Sequence, residues 1–386
     1  MKKKIAILGS TGSIGATTLN IVKKNRQDLS VVLLSTNKNI RKIYKQSKYF
    51  NVKNVIITDE KKYFIWKKKF TKKTIRVFND FDNFKKIFKK KIDYSINAIT
   101  GIDGLKPTLK IIKYTKKIAI ANKESIICGW NLIDKELKKN KTKFIPVDSE
   151  HFSIFKLIKN LSENNIKKII LTASGGPFLK KKVNKQTKID DALNHPNWKM
   201  GKKISIDSST MMNKVFEVIE AKKIFNIKLD KINVLINPNS YVHAIVIFKN
   251  GTIKMLAHET KMEIPIINSI YDELKLNYNT KYIDLKKINN LNLTAPNTKK
   301  FKTLKMLKLI PTNDSLYETI LISVNDELVD MFLKEKISYN QLTSYLLKII
   351  NFKIFKKYCT IKPKSVKEIL NVRELARKIV YEYINK

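Results

Sequence analysis

The opening of the chain constrains its fold more than any other feature. A four-residue apolar run, Ile5 to Leu8, enters Gly9-Ser10-Thr11-Gly12-Ser13-Ile14-Gly15, and a helical pattern follows to about Lys24. Glycines three residues apart between a strand and a helix permit a tight turn and close backbone approach. The helix N-terminus then presents free N–H groups and the positive end of its dipole to a pyrophosphate. The alternation continues to about Val147, through VVLL, NVII, YSINAI, KIAIA and FIPV, with helical segments between. Such a rhythm builds a parallel sheet with right-handed crossovers. The expected fold class is α/β, beginning with a Rossmann-like doubly wound parallel sheet over residues 1–148.

Further on, KKIILTASGG reads as a buried strand and SSTMMNKVFEVIEAKKIF as a helix. KINVLI reads as a strand and HAIVIFKNGTIKML as two strands joined by an Asn250-Gly251 turn. This predicts a central α+β domain over 149–275. An Asn- and Lys-rich stretch with Pro296 predicts a linker over 276–300, and helical spacing predicts a small helical domain over 301–386. Cys128 and Cys359 stand 231 positions apart without CxxC spacing, which argues against a disulfide framework and fits a reducing cytoplasm. No run approaches the ~18–20 apolar residues of a membrane span, and the apolar stretch ending at Leu8 is too short for a signal sequence. A soluble protein with no membrane partner is expected.

Composition matters through charge: 78 Lys and Arg face 33 Asp and Glu, a net +45. The lysine clusters, such as Lys67–Lys69, Lys89–Lys91 and Lys180–Lys182, are scattered over different elements. Spread over a compact surface, the excess is roughly one charge per 350 Å², a diffuse field. Lys, Ile and Asn are over-used together and share AT-rich codons, so base bias accounts for the lysines. No specific nucleic-acid partner is expected, although such a field holds polyanions at low salt whatever the function.

Sites for an NAD ribose carry Asp or Glu about 20 residues past the glycines. Here that region reads Leu33-Leu34-Ser35-Thr36-Asn37-Lys38-Asn39. A lysine among polar neighbours suits a 2′-phosphate, favouring NADPH over NADH; alternatively Lys38 is one more solvated lysine. Asn122-Lys123-Glu124 follows KIAIA at the carboxyl edge of the expected sheet, where open α/β folds bind ligands. Asp148 and Glu150 stand two apart at the end of the last strand, so in extended chain they face one side, either towards a cation or into solvent. In the helix that Ser208-Ser209 would cap, Asn213, Lys214 and Glu217 share a face. Three carboxylates would make an all-oxygen site for Mg²⁺ or Mn²⁺ and not for zinc. Between them, Thr172 to Pro177 offers hydroxyl and backbone donors, and His195 to Gly201 is a loop bearing Trp198. Such residues suit phosphate binding and a lid; singly, each has a structural reading as well.

Taken in order, GSTGSIG, ANKES, VDSEH, SGGPF and HPNWKMGKKISIDSSTMMNKVFE resemble the 1-deoxy-D-xylulose 5-phosphate reductoisomerase family across nearly the whole chain. The resemblance implies rearrangement and reduction of 1-deoxy-D-xylulose 5-phosphate to 2-C-methyl-D-erythritol 4-phosphate by a cytoplasmic homodimer that uses NADPH and Mn²⁺ or Mg²⁺. It implies cofactor contacts at Thr11, Gly12, Ser13, Ile14, Asn37, Lys38, Asn39, Asn122, Glu124 and Gly201. Metal would lie among Asp148, Glu150 and Glu217. Substrate would be held by Lys123, Ser149, Ser174, His195, Ser208, Asn213 and Lys214, with Trp198 on a covering flap, and the central domain would carry catalysis and dimerisation. The chain departs from the family at Asn37, Val215, Asn237 and residues 257–263, which bears on packing and dimer contacts, not on the ligand residues.

Two rivals are a metal-independent NADPH dehydrogenase and a polyanion-binding protein with a relic dinucleotide domain. Titration with duplex DNA is expected to show weak, non-selective binding that vanishes at physiological salt; tight selective binding there would favour the last reading.

Overall fold

The computed structural model describes residues 1–70, 74–184, 186–271 and 284–385. The chain forms two compact units. The first runs from Met1 to Asp148, apart from Ile127–Trp130, and also takes in the stretch that begins at Met262. The second comprises Ser149–Lys261 with Ile127–Trp130 and the C-terminal part of the chain.

In the first unit, β1 (Lys3–Leu8), β2 (Leu29–Thr36), β3 (Asn54–Ile57), β4 (Arg76–Phe78), β5 (Ile92–Asn97), β6 (Thr115–Ile120) and β7 (Lys143–Pro146) form one sheet. Its order is β4-β3-β2-β1-β5-β6-β7, and every pairing is parallel. The expected doubly wound sheet is therefore present. Ile5 to Leu8 have no exposed surface, as suits a strand covered on both faces. Strand order reverses between β1 and β5, so their carboxyl ends flank the crevice where such sheets bind nucleotides. Gly9 stands at that point with φ +79°, and a Cβ there would come within 2.7 Å of the Ala98 carbonyl oxygen just beyond β5. A Cβ on Gly15 would overlap the backbone of Gly9 and Ser10, so both glycines are required for the turn to close onto the Ser13–Lys24 helix.

In the second unit, β8 (Ile166–Ala173), β9 (Ile232–Ile236), β10 (Val242–Phe248) and β11 (Ile253–Ala257) form a sheet of order β11-β10-β8-β9. β8 and β9 are parallel, and β10 is antiparallel to both β8 and β11. The β10–β11 connection is the expected Asn250-Gly251 turn, with Gly251 at φ +84°. The Ser149–Leu157 and Met212–Ile224 helices pack on this sheet: Ile154, Val218 and Ala221 join Ile169, Leu171, Ala244 and Val246 in one core. Helices Tyr317–Leu333, Tyr339–Ile349 and Val366–Ile384 supply the expected helical C-terminal part. Of the expected linker, residues 276–283 lie outside the described residues; beyond them come the Leu285–Asn289 helix and Thr294, which bridges to Ile236.

One expectation is corrected. Ser208-Ser209 does not cap a single long helix. It ends a separate helix, Lys202–Ser209, and the next begins after Met211, which has φ +64°. The Ser209 hydroxyl donates to the Ile206 carbonyl oxygen (2.7 Å) and accepts from Tyr339 (3.1 Å), so it is not available to cap the Met212–Ile224 helix.

Gly9→Ala forces a left-handed backbone on a residue with a Cβ and crowds Ala98. It is expected to cost about 1–3 kcal/mol in urea unfolding and to weaken NADPH binding.

Candidate active site

At the glycine turn, Gly12 is the N-cap of the Ser13–Lys24 helix with no side-chain cap, and Gly12 and Ser13 are exposed. The turn is held by Gly9 N–H donating to Ser35 Oγ (2.9 Å), Ser10 N–H to the Ser35 carbonyl (2.9 Å), and a Thr11–Thr36 hydroxyl pair (2.8 Å). The N–H groups of Gly9, Ser10 and Gly12, the last donating to the Gly9 carbonyl at 3.2 Å, are thus used within the fold, and the first-turn N–H groups of the Ser13–Lys24 helix are the ones at its N-terminal end. Lys42, absent from the sequence reading, donates to the Thr11 carbonyl (2.8 Å) and adds a cation beside the turn. Asn37, Lys38 and Asn39 are exposed at the end of β2; Asn39 caps the Ile40–Tyr49 helix, accepting from Lys42 N–H at 3.1 Å. Asn122 is buried and committed to the protein: it accepts from Ser125 N–H (2.6 Å) and donates to the carbonyls of Ile99 and Gly101. Lys123 pairs with Asp148 at 3.0 Å, and Glu124 is buried in the first turn of the same helix.

The carboxylate pair is built differently from expectation. A helix starts at Ser149, so Glu150 rides its first turn and Asp148 is the residue just before it, not two positions of an extended segment. The pairing survives because one bond joins Asp148 to that helix. Asp148, Glu150 and Glu217 each present a carboxylate oxygen, and the three lie within 4.8 Å of one another. Asn213 donates to one Glu217 oxygen, which turns the carboxylate, and Ser149 Oγ donates to Glu150 (2.5 Å). The Lys214 ammonium touches Glu150 (2.8 Å), Glu217 and the Thr172 carbonyl. Burial alone would lower its pKa, but the two carboxylates hold it above the ordinary lysine value. A hard, all-oxygen donor set of this kind suits Mg²⁺ or Mn²⁺.

Next to the carboxylates is a hydroxyl cradle. Gly175 and Gly176 both have positive φ, and a Cβ on Gly176 would come within 2.8 Å of the Ser208 carbonyl, which keeps the SGG turn against the Lys202–Ser209 helix. Ser174 Oγ accepts from Gly176 N–H (3.1 Å) and lies 3.0 Å from His195 Nε2. His195 Nδ1 accepts the N–H groups of Asn197 (3.2 Å) and Trp198 (3.0 Å), so the neutral ring carries its proton on Nε2 and donates to Ser174. With two donors aimed at its oxygen, Ser174 keeps its own proton for a ligand. Burial lowers the His195 pKa to about 4, favouring that neutral form.

Trp198 is half-buried and meets His243 edge to face (6.1 Å), and His243 stacks on His258 at 3.8 Å. Asn197 ties the same loop to the Pro238 carbonyl (2.7 Å) and Ser240 Oγ (2.8 Å). Gly201 is exposed, with open space around a Cβ, at the start of the Lys202–Ser209 helix. Asn197, Lys42 and His243 escaped sequence reasoning because each works through a partner distant along the chain; only the run Asn237-Pro238-Asn239-Ser240 hinted at the contact loop.

A nucleotide turn at the switch point of a doubly wound sheet, in a chain that also carries a three-carboxylate site, defines a dinucleotide-dependent oxidoreductase. Family models described as 1-deoxy-D-xylulose 5-phosphate reductoisomerase, its C-terminal domain and DXP reductoisomerase C-terminal domain match residues 5–129, 144–225 and 258–379. The reductoisomerase of Pelagibacter ubique is 54% identical, covering 96% of this chain and 97% of its own. That of Wolbachia pipientis wMel is 38% identical, covering 98% of each. A crystal structure of DOX-P reductoisomerase with NADPH, fosmidomycin and magnesium superposes with TM-score 0.92 at 30% identity, over 99% of this chain and 98% of that one. The Zymomonas mobilis enzyme in complex with NADPH gives 0.87 at 28% identity, over 100% and 99%. The chain belongs to the 1-deoxy-D-xylulose 5-phosphate reductoisomerase family.

Because the folded-state pKa of His195 lies below the ordinary value of 6.5, its contribution to stability is complete above pH 6.5 and is lost as pH falls towards about 4. Urea unfolding of His195→Asn, whose amide oxygen can still accept the loop N–H groups, is expected to show a smaller loss over that window than wild type.

Proposed function

We propose that this chain converts 1-deoxy-D-xylulose 5-phosphate to 2-C-methyl-D-erythritol 4-phosphate with NADPH and Mg²⁺ or Mn²⁺. The observation that carries the reading is the convergence of Asp148, Glu150 and Glu217 in a chain whose glycine turn suits a pyrophosphate. When bound, the cation supplies Lewis-acid stabilisation of negative charge developing on the substrate oxygens, and NADPH supplies the hydride.

The chain's own residues do the rest. Ser13 and Ile14 offer helix N-terminal N–H groups to the pyrophosphate, Gly12 lets the backbone approach it closely, Thr11 lies beside them, and the exposed Asn37, Lys38 and Asn39 suit the 2′-phosphate. Gly201 and Glu124 complete the cofactor set, and Asn122 contributes by capping the Lys123–Asn140 helix and holding the Ile99 and Gly101 carbonyls of the loop beside it. Ser174, with its free proton, takes the substrate phosphate with His195, Ser208, Asn213 and Lys214, while Ser149 and Lys123 hold the sugar oxygens. The Trp198 loop covers the substrate and keeps water from the rearranging carbon skeleton. The dehydrogenase rival leaves the three gathered carboxylates without a task.

Assembly as a homodimer is supported by β11, the end strand of its sheet, where Ile253 is 60% and Met255 53% exposed. Apolar side chains on an open edge are where a second copy would pack. Among the described residues no helix is long and apolar enough to cross a membrane, and both cysteines are free thiols, which fits the cytoplasm.

Glu217→Gln is expected to lower turnover roughly a thousandfold or more, equivalent to losing several kcal/mol of charge stabilisation, while NADPH binding stays near wild type. NADPH oxidation on adding substrate, with and without EDTA, checks the metal requirement. A near-normal rate in the variant would overturn it.

A further inference from the structure

Glu220 and His151 form a buried pair that the chemistry above does not use. They are 1% and 0% exposed. His151 follows Glu150 in the Ser149–Leu157 helix, and Glu220 lies one turn beyond Glu217 in the Met212–Ile224 helix. The imidazole therefore stands between the two helices that carry these two carboxylates. Its Nε2 lies 2.9 Å from the Glu217 main-chain carbonyl, which can only accept, so Nε2 carries a proton and donates. Its Nδ1 faces a Glu220 carboxylate oxygen at 3.5 Å. One ring thus contacts two successive turns of the second helix, donating to a carbonyl on one and standing 3.5 Å from a carboxylate oxygen on the other. The plane of the ring is backed by Phe225, at 6.4 Å and nearly parallel.

From this geometry we infer that His151 and Glu220 are positioning residues for the metal site: they fix the register between the two helices and with it the separation of the Glu150 and Glu217 carboxylates. Three features support the assignment. First, a carboxylate and an imidazole this deep are costly to bury and are held only where they are paired. The Nε2–H bond to the Glu217 carbonyl gives a directional contact between two helices that also meet through apolar side chains such as Ile154 and Val218, which fix no register by themselves. Second, His151 acts on the backbone of Glu217 itself, so a shift of the ring shifts a ligand residue directly. Third, the opposite side of Glu217 is already restrained by Asn213 and Lys214; His151 and Glu220 close the remaining side. Partners that orient ligands in this way matter to metal affinity about as much as some of the ligands do.

The inference rests on the metal reading above, and the test separates the two. Mn²⁺ binding to the full chain is measured by calorimetry and by the EPR signal of free Mn²⁺. Wild type should bind one equivalent and Glu217→Gln should lose it; absence of binding by wild type would reject the metal reading itself. Glu220→Leu and His151→Phe are expected to weaken Mn²⁺ about 10- to 100-fold, with NADPH affinity unchanged and with the double variant no weaker than the singles. Glu220→Gln, whose amide N–H can donate to Nδ1, is expected to stay within about twofold of wild type, a rescue that a requirement for mere charge would not allow. Folded Glu220→Leu that binds Mn²⁺ as wild type does would overturn the inference, as would a second Mn²⁺ equivalent lost on changing His151, which would make it a ligand. Should both variants fail to fold, the ¹⁵N ring resonances of His151 in wild type decide, since the chain has only four histidines: they should move on saturation with Mg²⁺, and unmoved resonances would overturn the proposal.

Discussion

Burial of charge on the Met212–Ile224 helix is the constraint around which the second unit is organised. Lys214, Glu217, Glu220 and Lys223 are each less than a tenth exposed, and a charge taken out of water costs several kcal/mol unless it is met by a well-placed partner. Three of the four are met from other parts of the chain, and Glu217 is met from its own helix. Glu150 and the Thr172 carbonyl serve Lys214, and Asn213 and Lys214 serve Glu217. His151 serves Glu220, while Asp314 and Glu318 serve Lys223. The helix can be seated only when the Ser149–Leu157 helix, β8 and the segment leading into the C-terminal helices all stand in place. Folding that unit and assembling its polar site are therefore one process.

The C-terminal helices have a task in this arrangement although they contribute no proposed ligand. Asn325 donates to Asp207 (2.7 Å), Tyr339 to Ser209 (3.1 Å) and Thr303 to the Thr210 carbonyl (2.5 Å). All three grip the short Lys202–Ser209 helix or its end, which carries Ser208 and follows the Trp198 loop. In the function proposed above the Trp198 loop covers the substrate, which calls for a fixed anchor. Here the anchor is tied to buried helices, and the loop itself is held by contacts that a ligand can replace, namely the two N–H groups on His195 and the side chain of Asn197.

The excess of lysine acquires meaning only against this background. Dispersed positive charge draws phosphorylated small molecules towards the surface, but it cannot select among them. In the function proposed above, selection falls to neutral donors of fixed direction, such as the Ser174 hydroxyl and the first-turn N–H groups beyond the glycine turn, and to two lysines placed by carboxylates, Lys123 and Lys214.

The three-residue edge strand β4 was too short to leave a pattern, but the glycine turn, the strands β1, β2, β3, β5, β6 and β7 and the Asn250-Gly251 hairpin were legible in the chain alone, because each depends on neighbours a few residues apart. The three carboxylates could be named for the same reason, each sitting at a recognisable strand end or helix face. How they meet was not legible: Glu150 proved to be helical, not extended, and Ser208-Ser209 closes one helix instead of opening the next. The partners of His195, Asn197, His151 and Glu220 were hidden as well. Hydrogen bonds and ion pairs between residues tens of positions apart leave no local pattern, since any polar side chain of suitable reach would look the same in sequence. Residue type and short-range spacing determined which chemistry this protein could hold, whereas only the packing of helices on the second sheet decided which oxygen, nitrogen and proton face one another.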